Sequence, residues 1–494
     1  MKKYLLLMLL FFIIPNSAQA ATNWDEFVND LATDDAVIEL ENDITGSSNI
    51  VITQDKTINL NGYSISTSGT ITVDGADVSI NEGKITSTAG NTLSIINGGV
   101  VNLNSSTIEN TNYGGYSIYI KGASTDNGVK TKLIIDKNST VSANFALGIQ
   151  RNSDASYGVV VDIYGSIIGE NTINTYNYGA VGIHVFSNIK QLEGNVPEIN
   201  IYEGANVIAK QGNTGDLNAD DAPAIYAEGY AKWNITGGTI KGSEAITAFA
   251  GEYNITGGEL IGMGVFHELQ LESNKSIATG SAIALIENSY FPGNIVLNVS
   301  SANITSEQAS AIRSLISDTA KDNSISGINL VGGRYTGKVN AVKVPTYDKF
   351  ISGGCYSSVP EDNYLKSAEL SIVEIDNYYC IGMKNKVLID DKSEKFIKSN
   401  LNEAIAGQTV TITSKKVNGY KISNLIVKTI SGELVEVTDN TFIMPAEDVV
   451  IEVDYVEDVT NPNTSDNIYL AFISVIVSFV ALGILKHLKN VYEK

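Results

Sequence analysis

The chain has 494 residues, 43% of them hydrophobic and 18% charged, and a formal net charge of −22. That is enough apolar material for two or three folded domains, and it excludes wholesale disorder. With arginine only at Arg151, Arg313 and Arg334, the acidic balance also argues against nucleic acid as a partner, since phosphate-backbone binding needs clustered Lys and Arg.

At the N-terminus, Lys2 and Lys3 precede an apolar stretch from Tyr4 to Ile14, and Ala18-Gln19-Ala20 supplies small residues for cleavage. Residues 1–20 therefore read as a secretory signal peptide, and the mature chain is expected to begin near Ala21. Export permits a disulfide, for which Cys355 and Cys380 are the only pair; the sequence leaves open whether they are joined.

Residues 21–36 follow. Trp24, Phe27, Val28 and Leu31 recur at i, i+3, i+4 and i+7, so a short amphipathic helix is predicted, N-capped by Thr22 or Asn23. Its apolar face is expected to cap the end of the next segment.

Over residues 37–383 the pattern becomes many short strands, such as VIEL, IVIT, KTINLNG and DVSINEG, broken by Gly, Asn, Asp and Ser clusters. Helical spacing survives best in SEQASAIRSLISDTA, around residues 306–320. WNITGGTIKG begins at Trp233 and YNITGGELIG at Tyr253, and 253 − 233 = 20; LVGGRYTG at Leu330 and FISGGCYSS at Phe350 echo that offset. A period near twenty with several short strands per period predicts an all-β parallel solenoid whose coils bury their inward residues by stacking. The Gly237-Gly238 and Gly257-Gly258 pairs are expected to turn corners of the coil.

KTINLNGYSIS, the NITGG pairs and FISGGCYSSVPEDNYL resemble the pectin-lyase-like right-handed β-helix surface proteins of Firmicutes. The resemblance implies a right-handed parallel β-helix over residues 37–383, displayed outside a Gram-positive cell and adhesin-like. Cys355 stands where those proteins more often carry Thr.

Residues 387–457 form a second unit, with strands expected at Val410–Thr413, Ile422–Val427, Glu433–Val437 and Val449–Tyr455. Gly419-Tyr420 and Met444-Pro445-Ala446 are similar to motifs of the small internalin B-type repeat modules of bacterial surface proteins, which implies a spacer rather than chemistry.

For chemistry the signals are few. A polysaccharide lyase needs a base and a cation beside a uronate, and a hydrolase needs paired carboxylates. His184 and His267 stand in no catalytic motif and read as packed or solvent-facing residues. Asp216, Asn218 and Asp220 alternate as calcium ligands do, but Asp221 occupies the sixth position and Ala227 the twelfth. That stretch reads as a solvated loop, with calcium binding as its alternative, and no other cofactor is expected. Tyrosine is abundant, at 24 residues against two Trp, and densest at Tyr113, Tyr116 and Tyr119 and at Tyr176 and Tyr178. Exposed tyrosines can stack on sugars or contact proteins, although β-propensity alone also places them on pleated surfaces.

At the C-terminus, the linker 458–467 holds Asn461, Pro462, Asn463, Thr464 and Ser465. An uncharged run over 468–485 follows, then a tail over 486–494 carrying Lys486, Lys489 and Lys494. The run is long enough for a transmembrane helix with its tail in the cytoplasm. Motif, apolar span and basic tail together resemble a Gram-positive sorting signal of the Asn-Pro-any-Thr type. That resemblance implies cleavage after Thr464 by a sortase and transfer to peptidoglycan. The expected function is a non-catalytic surface protein, anchored to wall or membrane, that binds carbohydrate or a host or bacterial surface protein. The alternative is a polysaccharide-active lyase or hydrolase on the same scaffold.

Overall fold

In the computed structural model, the residues described are 19–123, 128–150, 157–170, 179–186, 196–210, 222–266, 279–287, 291, 293–316 and 324–458. The chain divides into two compact units, Met1–Gly382 and Met383–Lys494.

The first unit is all-β and built almost wholly from parallel pairing. Its strands fall on three ladders that the chain visits in turn. One rung, for example, runs Lys232–Ile235, Thr239–Gly242 and Ile246–Ala248, and the next runs Gly251–Ile255, Glu259–Gly262 and Ile283–Glu287. Each strand pairs in parallel with its counterpart one rung on. On the first ladder Ile58, Ile80, Leu103, Ile135, Ile163, Ile201, Ile235, Ile255, Val299 and Leu330 all point inward, none more than 2% exposed. One strand cannot hide such a residue, and the like residue on the neighbouring rung covers it.

The twenty-residue repeat holds only locally. Equivalent asparagines on the first ladder lie 22, 23, 34, 31 and 44 residues apart between successive rungs. The rungs are conserved in geometry while the connections between them vary in length. The second echo is also offset by one, because Leu330 bridges to Ile351 and not to Phe350. The helical spacing near residue 306 is overridden as well: Asn303–Ser306 and Ile312–Ile316 are strands, with Ala309 and Ala311 buried between them. Small residues at a tight corner gave that segment a helical look.

The helix Trp24–Leu31 forms as its spacing predicts, with Asn23 as N-cap accepting from Glu26 N at 3.1 Å. The Glu26 carboxylate reaches back to Thr22 N at 2.8 Å and Thr22 Oγ1 at 2.6 Å, a reciprocal capping box one residue out of its usual frame. These bonds hold the Glu26 carboxyl below its ordinary value. Before the helix, Gln19–Ala21 pairs in parallel with Ile38–Leu40, so the expected cleavage point lies within a strand.

At the other end the parallel order stops. Gly354–Tyr356 pairs antiparallel with Tyr378–Gly382, which also pairs antiparallel with Ser371–Ile375. The Cys355–Cys380 disulfide joins directly opposed residues of this cap. This antiparallel pairing covers the edge of Gly354–Tyr356, the last parallel strand of its ladder.

At the corners, Gly238 and Gly258 have φ of +81° and +96°. A Cβ on Gly238 would stand 2.7 Å from the Ala205 carbonyl oxygen of the rung below. Glycine is required there by both conformation and space.

The second unit packs a five-stranded and a three-stranded sheet around Phe396, Val410, Phe442, Met444, Val449 and Ile451. Its longest strands, Tyr420–Thr429 and Val449–Glu457, are antiparallel neighbours. Among the described residues no helix is long and apolar enough to cross a membrane. The expected span, 468–485, lies outside them, as do Asn461–Ser465, the candidate calcium ligands, His267, Tyr176 and Tyr178.

Candidate functional site

The three outward surfaces of the first unit differ in what they can offer a ligand. On the first ladder, amides run from rung to rung. Asn59 Nδ2 donates to Glu39 Oε1 at 2.6 Å, Asn81 to Asn59 at 2.7 Å and Asn104 to Asn81 at 2.8 Å. A second chain starts at Asp162, to which Asn200 donates at 2.9 Å, followed by Asn234 at 2.8 Å; a third runs from Asn254, whose own amide donates to Glu252, through Asn298 to Asn329. Most amides here use the amide of the neighbouring rung as a partner.

The third ladder is different. Parallel register places Tyr119, Gly148, His184 and Tyr226 on successive rungs. A Cβ on Gly148 would strike the Tyr116 ring at 2.7 Å, so the glycine lets that ring lie across the strand. Tyr116 thereby reaches His184, 68 residues away, its hydroxyl 3.0 Å from Nδ1. On the far side His184 Nε2 stands 3.4 Å from a Glu228 carboxylate oxygen. Nε2 faces that carboxylate without a hydrogen bond among the described residues, and the direction of the Tyr116 hydroxyl–Nδ1 bond follows the imidazole tautomer.

Around this chain the rings of Phe145, Phe186 and Tyr226 close in. Phe186 lies 3.8 Å from the imidazole centroid and Tyr226 5.3 Å, while Tyr116 lies 5.4 Å from Phe145. The row continues through Phe249, 5.4 Å from Tyr226, to Phe291 at 5.0 Å. His184 is buried, whereas Tyr116, Tyr119, Phe145, Phe186 and Tyr226 are half-buried. Burial, and after it the Glu228 charge, pushes the Tyr116 hydroxyl far above its ordinary value; burial alone pushes Tyr119 up to about 12. Both phenols therefore stay protonated at neutral pH. They serve as hydrogen-bond donors and apolar faces, not as bases.

A second feature lies on the middle ladder, where Glu259, Asn303 and Arg334 are register partners on adjacent rungs. They line a cavity of about 370 Å³ together with Glu307 and Thr336. Arg334 also borders an adjoining cavity of about 420 Å³ beside Asp376 and Cys355. Its guanidinium lies 3.7 Å from the centroid of Tyr378, whose hydroxyl meets Thr336 Oγ1 at 2.8 Å. Among the described residues Arg334 makes no ion pair within 4.0 Å.

Sequence reading set His184 aside as a packing residue and passed over Glu228, Phe145, Phe186 and Tyr226. The available signal was outward alternation in VGIHVF and IYA, which puts His184, Phe186 and Tyr226 on one face once the rungs are aligned. Of the tyrosines singled out, Tyr116 and Tyr119 join the cluster. Among the described residues no group of three or more His, Cys, Asp or Glu could hold a metal ion.

These features define an all-β protein of stacked parallel ladders with an aromatic outer face and a polar groove. The chain matches no protein-family model, no curated protein and no solved structure.

Proposed function

We propose that the chain is a right-handed parallel β-helix, exported and anchored on the envelope of a Gram-positive bacterium, that binds glycans or surface proteins without catalysing their conversion. The observation that carries this reading is the row from Tyr116 to Phe291. It pairs apolar ring faces with fixed hydroxyls, as sugar and protein recognition both use, and burial raises the Tyr116 and Tyr119 hydroxyls so that they stay protonated and are poor groups for acid–base work. The finer family reading, an adhesin with an internalin B-type module, rests on the sequence motifs. So does anchoring through Asn461, Pro462, Asn463, Thr464 and Ser465.

Glycan-array and surface-protein binding by the full-length chain tests the site. Tyr119→Ala combined with Phe186→Ala should lower binding at least tenfold while leaving the unfolding midpoint nearly unchanged. Binding that survives the double substitution would move the site elsewhere. For anchoring, mass spectrometry of cell-wall digests should find peptides ending at Thr464 and joined to peptidoglycan; a peptide running intact past Ser465 excludes the cut.

The groove at Arg334 supports a second reading, a polysaccharide-active enzyme, because the carboxylates of Glu259 and Glu307 and the Arg334 guanidinium line it together. Release of products from a polysaccharide panel, abolished by Glu259→Gln, would establish it.

A further inference from the structure

The small module holds three aromatic rings around one ammonium. Phe396 is buried at 1% exposure, beneath Tyr420 and Tyr455, which are 40% and 38% exposed. Phe396 and Tyr455 stack with centroids 4.2 Å apart. Tyr420 stands edge-on to both, 73° from Phe396 and 83° from Tyr455. Tyr420 and Tyr455 make two near-perpendicular walls of a cup open to water, with Phe396 stacked against the Tyr455 wall.

Rigid elements hold its parts. Tyr420 and Tyr455 lie on the antiparallel pair Tyr420–Thr429 and Val449–Glu457, with Tyr455 opposite Ile422 just before a bulge. Phe396 is fixed by its N–H donating to Ser393 O at 2.9 Å and by its carbonyl accepting from Lys415 N at 2.6 Å.

The cup contains Lys395 Nζ, 4.8 Å from the Phe396 centroid, 5.1 Å from Tyr455 and 5.8 Å from Tyr420. The lysine is exposed, and among the described residues it makes no ion pair, in a chain of net charge −22. Its one recorded company is the π faces. A primary ammonium is compact and strongly hydrated, so it gains little from an open cup. A trimethylated ammonium sheds water more readily and presents methyl groups to all three rings, the arrangement in which aromatic cages bind quaternary cations.

We propose that Phe396, Tyr420 and Tyr455 form a binding site for quaternary-ammonium groups, and that Lys395 is a resident occupant which the ligand displaces. This site stands apart from the glycan reading of the first unit, and either can fail alone.

The test is titration of the full-length chain with tetramethylammonium and choline by saturation-transfer NMR, against 3,3-dimethylbutanol, the uncharged isostere of choline. Both cations should bind saturably and the alcohol should not. Lys395→Ser empties the cup and should raise affinity about tenfold, because the competing ammonium is gone. Tyr420→Leu or Tyr455→Leu should lower it at least tenfold. Equal binding of the alcohol, or a folded Lys395→Ser chain that binds neither cation, overturns the proposal. If Lys395→Ser does not fold, Tyr420→Leu decides, and unchanged cation affinity in that variant overturns it too. Phosphocholine and trimethyllysine, titrated in parallel, separate a choline head from a methylated side chain as the natural source.

Discussion

Lys56 is a lysine with almost no access to water, at 3% exposure, and its removal tests how the N-terminal cap is held. It opens the strand Lys56–Asn59 and points back under the helix. Its Nζ donates to the carbonyl oxygens of Thr33 at 2.6 Å and Asp35 at 2.7 Å, with that of Asp30 at 3.5 Å. The Asp30 carbonyl belongs to the last turn of the helix and the other two follow it, where the helix dipole favours a cation. Lys56→Met keeps the buried stem and removes the charge. Two short charge-assisted bonds at about 1.5–3 kcal/mol each give a loss of roughly 3–6 kcal/mol, part of it the cost of carbonyls left without donors. Rungs that contact only their neighbours should pass little of this on. Hydrogen exchange read by mass spectrometry should therefore show protection falling over residues 22–60 and persisting around Trp233–Val299. Unchanged protection at the helix would refute the energetic argument. A uniform loss along the whole unit would refute the claim of locality.

Trp233 is fully buried and stacked on Tyr253 at 5.9 Å, but among the described residues its Nε1 has no hydrogen-bond partner. Trp233→Phe, which removes that orphaned donor, should cost about 1 kcal/mol or less in urea denaturation, against roughly 3–5 kcal/mol for Trp233→Ala. Glu244 is buried and accepts from Ser243 Oγ, Thr279 N, Thr279 Oγ1 and Gly280 N; burial raises its carboxyl despite those bonds. A raised folded value stabilises below the ordinary 4.5 and loses that contribution as pH climbs through it. Thermal midpoints of the native chain should thus fall from acid toward neutral pH relative to Glu244→Gln, and parallel pH profiles would contradict the assignment. Cys355 and Cys380 are separated by 25 residues, so reduction should cost about 3–4 kcal/mol on the loop-entropy estimate and expose Ser371–Gly382 to protease first.

Much of this architecture was legible because a rung writes itself into sequence as short alternation. VIEL and KWNI show the inward Ile, Leu or Trp at every second position, KTIN turns Lys56 and Ile58 inward, and all three are strands. The Trp24–Leu31 helix was legible from its spacing and cap. The coil length was not, because the rung is fixed by the core while its connections are limited only by loop entropy, which rises slowly with length. The candidate sites were the least legible part. Tyr116, His184 and Glu228 are strangers in sequence, and only the register of three strands makes them neighbours. Nothing local marks His184 as different from a packing residue. The cup at Lys395 escaped notice for the same reason: Phe396, Tyr420 and Tyr455 come from three separate segments of an apparent spacer.

The surfaces that bind differ from those that do not in how fully they satisfy themselves. An asparagine ladder closes its hydrogen bonds internally: Asn298 Nδ2 is committed to Asn254 and its Oδ1 to Asn329, so a ligand must break one good bond to make another. Such a face stabilises the stack and is poor at recognition. The Tyr116–Phe291 row, Arg334 and the Lys395 cup are of the opposite kind. Tyr116, Tyr119, Phe145 and Phe186 hold fixed, half-buried positions, and Arg334 is oriented by stacking on Tyr378, which uses none of its N–H donors. Preorganised groups with unused valences lose little entropy when a ligand arrives. The prediction is directional. Replacing Asn298 by Thr should lower stability and leave every binding activity intact, whereas Tyr378→Leu should leave stability nearly unchanged and weaken whatever the Arg334 groove holds. Loss of binding from the asparagine substitution, measured on a chain that remains folded, would show that the ladders and not the aromatic faces carry recognition.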